Sequence, residues 1–347
     1  MHCPRLDHFV RIDTPGISRC CVMTDAPAFS DLTGLENSQW LKDVKEKFAR
    51  DEWPAECTRC EQAEKIGQAS FRLLADKDHI KFQAINQDYV IVDLFVNNTC
   101  NAACAICGPR LSSLKSKMYD LPESKFNGLV ELEKVPKDRI LQINLGGGEP
   151  SVDPITREFV NNIPADHSFL NKVKINSNGS RNMSEIIPML DAGINVRMSL
   201  SMDGTGSIFE YCRFPLSWSK FQKVLEYYQT LSLKYSNLEL VTWSAYSALS
   251  IIDLPNMIRF SEAVGVRGLG TIVSHPDWLL MSNKNFLTLQ AKSTLLQSDQ
   301  QLALQYALLL ATDETDTSDK FVESVKYMDS KRNSSFNSCY SHLNLRI

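Results

Sequence analysis

The stretch Tyr89-Val90-Ile91-Val92-Asp93-Leu94-Phe95-Val96-Asn97-Asn98-Thr99-Cys100-Asn101-Ala102-Ala103-Cys104-Ala105-Ile106-Cys107 decides how the chain is read. Its first eight residues form a nearly continuous β-branched and aromatic run, the pattern of a strand buried on both faces of a parallel sheet. At Asn97 the run gives way to a polar loop with cysteines in the spacing CxxxCxxC. Three thiolates within eight residues can wrap one face of a cubane iron–sulfur cluster and leave one iron open, because soft sulfur donors suit such clusters. On spacing alone, a zinc knuckle lacking its fourth ligand is the competing reading.

Working outward, five further β-rich runs follow: Arg139 to Leu145, Lys172 to Asn176, Ile194 to Met202, Leu238 to Ala245 and Val266 to Val273. Helical patterns separate them, near Pro109 to Tyr119, Pro154 to Ile163, Met183 to Ala192, Ser217 to Lys234 and Leu254 to Val264. Alternation of this kind predicts an α/β fold with a parallel sheet. Six units fall short of a closed eight-unit barrel, so the expectation is an open, partial (β/α)6 TIM-like barrel. Its chemistry belongs at the C-terminal ends of the strands.

Three regions are expected. Residues 1–88 are polar and loop-rich, with one amphipathic helix from Ser38 to Arg50, and form a small cysteine-rich segment that needs a staple. Residues 89–282 form the barrel. Residues 283–347 read as a helical C-terminal extension, a long Leu-, Gln- and Ala-rich helix followed by one from Lys320 to Lys331, which closes the barrel side or caps the site.

The chain has 347 residues and a net charge of -4, with 37 basic and 41 acidic residues and no dense basic block, which argues against a nucleic-acid partner. No apolar run is long enough to span a membrane, and the N-terminus lacks an apolar signal core, so a cytoplasmic protein is expected. Ten cysteines in such a chain point to metal or redox use rather than disulfides. The six histidines show no metal-like spacing, and Cys212 reads as packing or as a radical or acid partner beside Arg213.

The cysteine loop and Leu145-Gly146-Gly147-Gly148-Glu149-Pro150, one βα unit later, together resemble the radical S-adenosylmethionine superfamily, which folds as a partial (β/α)6 barrel. The resemblance implies a [4Fe–4S] cluster on Cys100, Cys104 and Cys107, and S-adenosylmethionine bound with its amino group at Gly147, Gly148 and Glu149. It also implies cofactor contacts from Ser177 and Asn178, from Ser199, Ser201 and Asp203, and from Arg213 to the cofactor carboxylate. One departure is Ile106, where the family usually has an aromatic residue.

A second set is similar to the family's twitch segment, a SPASM-like auxiliary-cluster unit: Cys3, then Gly16, Cys21 and Cys57-Thr58-Arg59-Cys60. It implies an auxiliary [4Fe–4S] cluster on Cys3, Cys21, Cys57 and Cys60, with Cys20 as the alternative to Cys21. Most relatives carry this unit after the barrel, whereas here it precedes it. A four-cysteine zinc site would staple the segment equally well. The resemblance implies a radical enzyme served by a small flavodoxin- or ferredoxin-type electron donor. A peptide or protein side chain is the first expectation for substrate, a small metabolite or nucleotide the second. The alternative from another class is a non-catalytic, zinc-stapled binding protein.

Overall fold

The computed structural model describes residues 1–13, 15–20, 22–65, 67, 70–122, 126–167, 169–273, 275–281, 285, 288, 291 and 316–341. Its frame is a sheet of seven strands: β1 Phe9–Ile12, β2 Val90–Phe95, β3 Ile140–Gly146, β4 Lys172–Ser177, β5 Asn195–Ser201, β6 Leu238–Tyr246 and β7 Arg267–Ile272. Every strand runs parallel to its neighbour, and spatial order follows sequence order throughout. Parallel neighbours need long crossovers, which the intervening helices supply. An order that never reverses is that of a (β/α) barrel rather than of a doubly wound sheet.

The six runs read from the sequence are β2 to β7. Their core is continuous: Val92, Ile143, Val173 and Met198, on four successive strands, have no exposed surface. Ser38 caps the helix Gln39–Ala49 by accepting from the Leu41 N–H at 3.2 Å. Asp153 caps the helix Pro154–Asp166 in the same way, with Pro154 at its first position.

Two features depart from the sequence reading. The N-terminal region contributes a seventh strand, β1, whose Phe9 is in register with Ile91. That region also holds the helices Thr58–Lys65 and Phe71–Gln83. The helix expected from Lys320 to Lys331 is present as Ser318–Arg332, whereas the Leu- and Gln-rich helix before it lies outside the described residues. Among the described residues no helix is long and apolar enough to cross a membrane.

Truncating Ile143 to Ala should cost about 2–4 kcal/mol of stability in denaturant unfolding, because the sheet cannot collapse around the hole. Leu233→Ala, at a side chain that is 90% exposed, should stay within about 0.5 kcal/mol.

Candidate radical site

The cysteine loop leaves β2 and is tied on several sides through its backbone. Ala103 N–H donates to the Phe214 carbonyl at 2.7 Å, and Ala105 N–H to the Cys212 carbonyl at 2.8 Å. Cys100 N–H donates to Ser113 Oγ at 3.1 Å, Ser112 Oγ to the Ala102 carbonyl at 2.5 Å, and Cys107 N–H to the Cys104 carbonyl at 3.3 Å. These bonds hold the three thiols close enough to perturb one another. Burial and then the neighbouring Cys104 push Cys100 up to about 12. A hydrogen bond between Cys104 and Cys107 lowers the former to about 7, with Arg213 acting in the same direction, and raises the latter. Ala102 N–H donates to Cys100 Sγ at 3.4 Å.

The glycine run packs directly on this loop. Gly147 and Gly148 have φ of +70° and +52°, a region that favours glycine. A Cβ on Gly148 would sit 2.5 Å from the Thr99 carbonyl oxygen, and one on Gly147 would sit 2.7 Å from Phe95 Cβ. Glu149 N–H then donates to that Thr99 carbonyl at 2.7 Å.

Only 2% of Glu149 is exposed, and its carboxylate is engaged by the chain's own donors. Oε1 accepts from Ser151 N–H at 3.1 Å, Ser151 Oγ at 2.6 Å and Ser177 Oγ at 2.7 Å, while Oε2 accepts from Asn178 N–H at 2.5 Å. Burial raises its pKa against the pull of these donors. Glu149, Ser177 and Asn178 therefore clamp the loops after β3 and β4 together. Asn178 Nδ2 extends the clamp to Asn101 Oδ1 at 2.9 Å, and Asn101 Nδ2 donates to Ser180 Oγ at 3.0 Å. The sequence reading missed Thr99, Asn101 and Ser180, since their roles appear only when distant loops meet.

After β5, Asp203 and Arg213 form a buried ion pair at 2.9 Å. Asp203 Oδ1 also accepts from Ala245 N–H at 2.8 Å, and Arg213 Nη1 lies 3.8 Å from Cys104 Sγ. Burial opposes the Arg213 charge, but Asp203 and then Cys104 hold its pKa above the ordinary value. Ser199 and Ser201, two residues apart, share one face of β5, the first buried and the second half-buried. Cys212 is buried against Tyr340, 3.9 Å from its hydroxyl, and burial pushes its thiol up.

The second cysteine set gathers as well. Cys3, Cys20, Cys57 and Cys60 line one recess beside Arg5 and Arg72. Burial raises Cys3 to about 12, and Cys20 adds to that shift and to those of Cys57 and Cys60. Cys21 lies outside the described residues. Among the described residues, no three His, Cys, Asp or Glu side chains converge closely enough to hold a single metal ion. Cys3 precedes β1 and Cys100 follows β2, so with these strands parallel the two sets sit at opposite ends of the sheet. The span from Ile91 to Phe95 alone is about 13 Å.

Because Gly148 meets the loop backbone, Gly148→Ala should lower the iron that reconstitutes on the Cys100 loop while leaving the N-terminal site loaded. Gly193→Ala is the control, with φ of +77° but nothing within 4 Å of the added Cβ. Iron and sulfide analysis of both variants checks this.

No family profile matches the chain. It is 32% identical over 129 residues to mycofactocin maturase MftC of Mycobacterium ulcerans, covering 37% of this chain and 33% of that protein. It is 34% identical over 106 residues to MftC of Mycobacterium tuberculosis, covering 30% of this chain and 25% of that one. The chain thus spans about a third or less of the length of these relatives. Among solved structures, anSMEcpe with bound AdoMet aligns at 17% identity and a TM-score of 0.46, covering 65% of this chain and 64% of that one. Streptococcus suis SuiB bound to S-adenosylmethionine aligns at 13% identity and 0.41, covering 79% and 64%. CxxxCxxC on a braced loop at the end of β2, with Gly-Gly-Glu packed against it, is the motif pair by which this chain resembles the radical S-adenosylmethionine superfamily.

Proposed function

We propose that the protein is an enzyme that holds a [4Fe–4S] cluster on Cys100, Cys104 and Cys107 and cleaves S-adenosylmethionine reductively to begin radical chemistry on a substrate. The observation that carries this reading is the junction of the three-thiol loop with Gly147 and Gly148 at the C-terminal edge of the sheet. The donor set fits a cubane, being three soft thiols and no fourth protein ligand from the loop. A cluster held by Cys100, Cys104 and Cys107 would supply the one electron that splits the cofactor sulfonium into methionine and a 5′-deoxyadenosyl radical, the species that would take hydrogen from the substrate.

The chain's own work is positioning and exclusion of water. Glu149, Ser177 and Asn178 fix the loops that flank the cofactor, and the Asp203–Arg213 pair lies beside Cys104. Ser199 and Ser201 stand one strand further on, facing the site by the same alternation that buries their neighbours. Residues 89–282, together with β1 from the N-terminal region, would supply this barrel and residues 283–347 its cap.

In residues 1–88, Cys3, Cys57, Cys60 and one of Cys20 or Cys21 would hold an auxiliary [4Fe–4S] cluster with every iron ligated by protein. Four sulfurs around a cubane stand farther apart than four around one zinc ion. Metal and sulfide analysis therefore separates that cluster from the four-cysteine zinc site. At the far end of the sheet, that cluster suits electron relay or stapling rather than contact with the substrate.

The maturase name of the sequence relatives favours a peptide or protein side chain over a small metabolite or nucleotide. A flavodoxin- or ferredoxin-type protein would deliver the electron, in the cytoplasm where thiolate-held clusters stay intact.

Protein reconstituted without oxygen and incubated with dithionite and S-adenosylmethionine should release 5′-deoxyadenosine. The triple change Cys100→Ala, Cys104→Ala and Cys107→Ala should abolish that release and leave the auxiliary iron in place. A fully iron-loaded protein that yields no 5′-deoxyadenosine overturns the enzyme reading, and a colourless zinc protein supports the binding-protein alternative.

A further inference from the structure

Three cations from separate parts of the chain converge on the cysteine loop. Lys115, on the helix Ser113–Met118, donates from Nζ to the Cys104 carbonyl at 2.9 Å and the Ala105 carbonyl at 3.2 Å. Arg332, the last residue of the helix Ser318–Arg332, donates from Nη1 to the Tyr211 carbonyl at 3.0 Å and from Nη2 to the Ala103 carbonyl. Arg213 approaches Cys104 Sγ at 3.8 Å.

They are not equivalent. Arg213 is neutralised by Asp203 at 2.9 Å, whereas among the described residues Lys115 and Arg332 meet backbone carbonyls rather than carboxylates. Among the described residues, neither has a carboxylate within ion-pair distance, although Arg332 is only 4% exposed and its Nε has no partner. A buried charge without a counter-charge is costly, and such charges persist where an anion answers them. An iron–sulfur cluster held by three thiolates is such an anion, and its negative charge grows by one when it takes an electron.

We propose that Lys115 and Arg332 are counter-charges to a cluster on Cys100, Cys104 and Cys107, and that they raise its reduction potential by stabilising the reduced state. The inference rests on the cluster reading above and assigns both residues a tuning role, not a catalytic one. It also gives the C-terminal helix a function: Arg332 crosses 229 residues of sequence to reach the carbonyl between the first two cysteines. The step involved is electron transfer alone. A reductant such as dithionite or a flavodoxin loses one electron, the cluster gains it, and no bond is made or broken. Net charge and hydrogen bonding around the sulfurs are established levers on such potentials.

The test is an EPR-monitored redox titration of the full chain, reconstituted with iron and sulfide, as wild type and as Lys115→Gln, Arg332→Gln, Lys115→Arg and Arg332→Lys. Each Gln variant keeps a donor and loses the charge. At a fixed ambient potential, each should reduce the ratio of reduced to oxidised Cys100 cluster by about tenfold, equivalent to 59 mV for a one-electron couple. The N-terminal cluster should not move, and the charge-conserving variants should stay near wild type. Unchanged potentials in iron-loaded Gln variants overturn the inference while leaving the radical-enzyme reading intact. Loss of the cluster in a Gln variant supports the inference if the charge-conserving change restores it, and overturns it if not. Absence of any cluster in the wild type would instead defeat the underlying reading.

Discussion

Everything at this site depends on a short loop being unable to relax. Residues 97–107 carry three thiols that would repel one another as thiolates, so their convergence has to be imposed by the backbone around them. Hydrogen bonds from Ala105 and Ala103 reach the last residue of the helix Gly206–Cys212 and Phe214 just after it, and bonds at Cys100 and Ala102 reach Ser113 and Ser112. From the other side the Gly147–Gly148 turn approaches so closely that no side chain fits. A preformed donor set of this kind is what lets a soft-metal cluster bind with one iron left for a ligand.

Glu149 shows how the family motif serves this loop. The resemblance implies that Gly147, Gly148 and Glu149 together meet the cofactor's amino group; in the structure, four donors from Ser151, Ser177 and Asn178 surround the Glu149 carboxylate. Its backbone N–H holds Thr99, so one residue joins the ends of β3 and β4 to the cysteine loop. Arg213 follows the same pattern, being paired with Asp203 beside Cys104. These residues hold in place the loops that surround the three thiols.

What was legible in the sequence is what local physics controls. The strands β2 to β7 announce themselves by dense Val, Ile and Leu runs, and the cysteine and glycine motifs by spacing at strand ends. β1 was illegible because four residues containing Arg11 are too short a run to stand out, and their ladder forms with a strand 82 residues further along. The helix Phe71–Gln83 escaped because it leaves Leu73, Leu74 and Ile80 exposed and so shows no one-sided apolar stripe. Nothing local in the sequence indicates that the heads of Lys115 and Arg332 end on the carbonyls of Ala103, Cys104 and Ala105. Between adjacent cysteines spacing favours Cys21, while the recess at the N-terminal end of the sheet is lined by Cys20.

The central claim is that the cluster on Cys100, Cys104 and Cys107 has an iron open to S-adenosylmethionine, whereas the N-terminal cluster is closed. EPR spectroscopy of the dithionite-reduced protein, recorded before and after addition of S-adenosylmethionine at low temperature, tests it directly. The account predicts that the signal lost on replacing Cys100, Cys104 and Cys107 changes its g-values when the cofactor binds, and that the signal lost on replacing Cys57 and Cys60 does not. A Cys100-dependent signal indifferent to S-adenosylmethionine would contradict it.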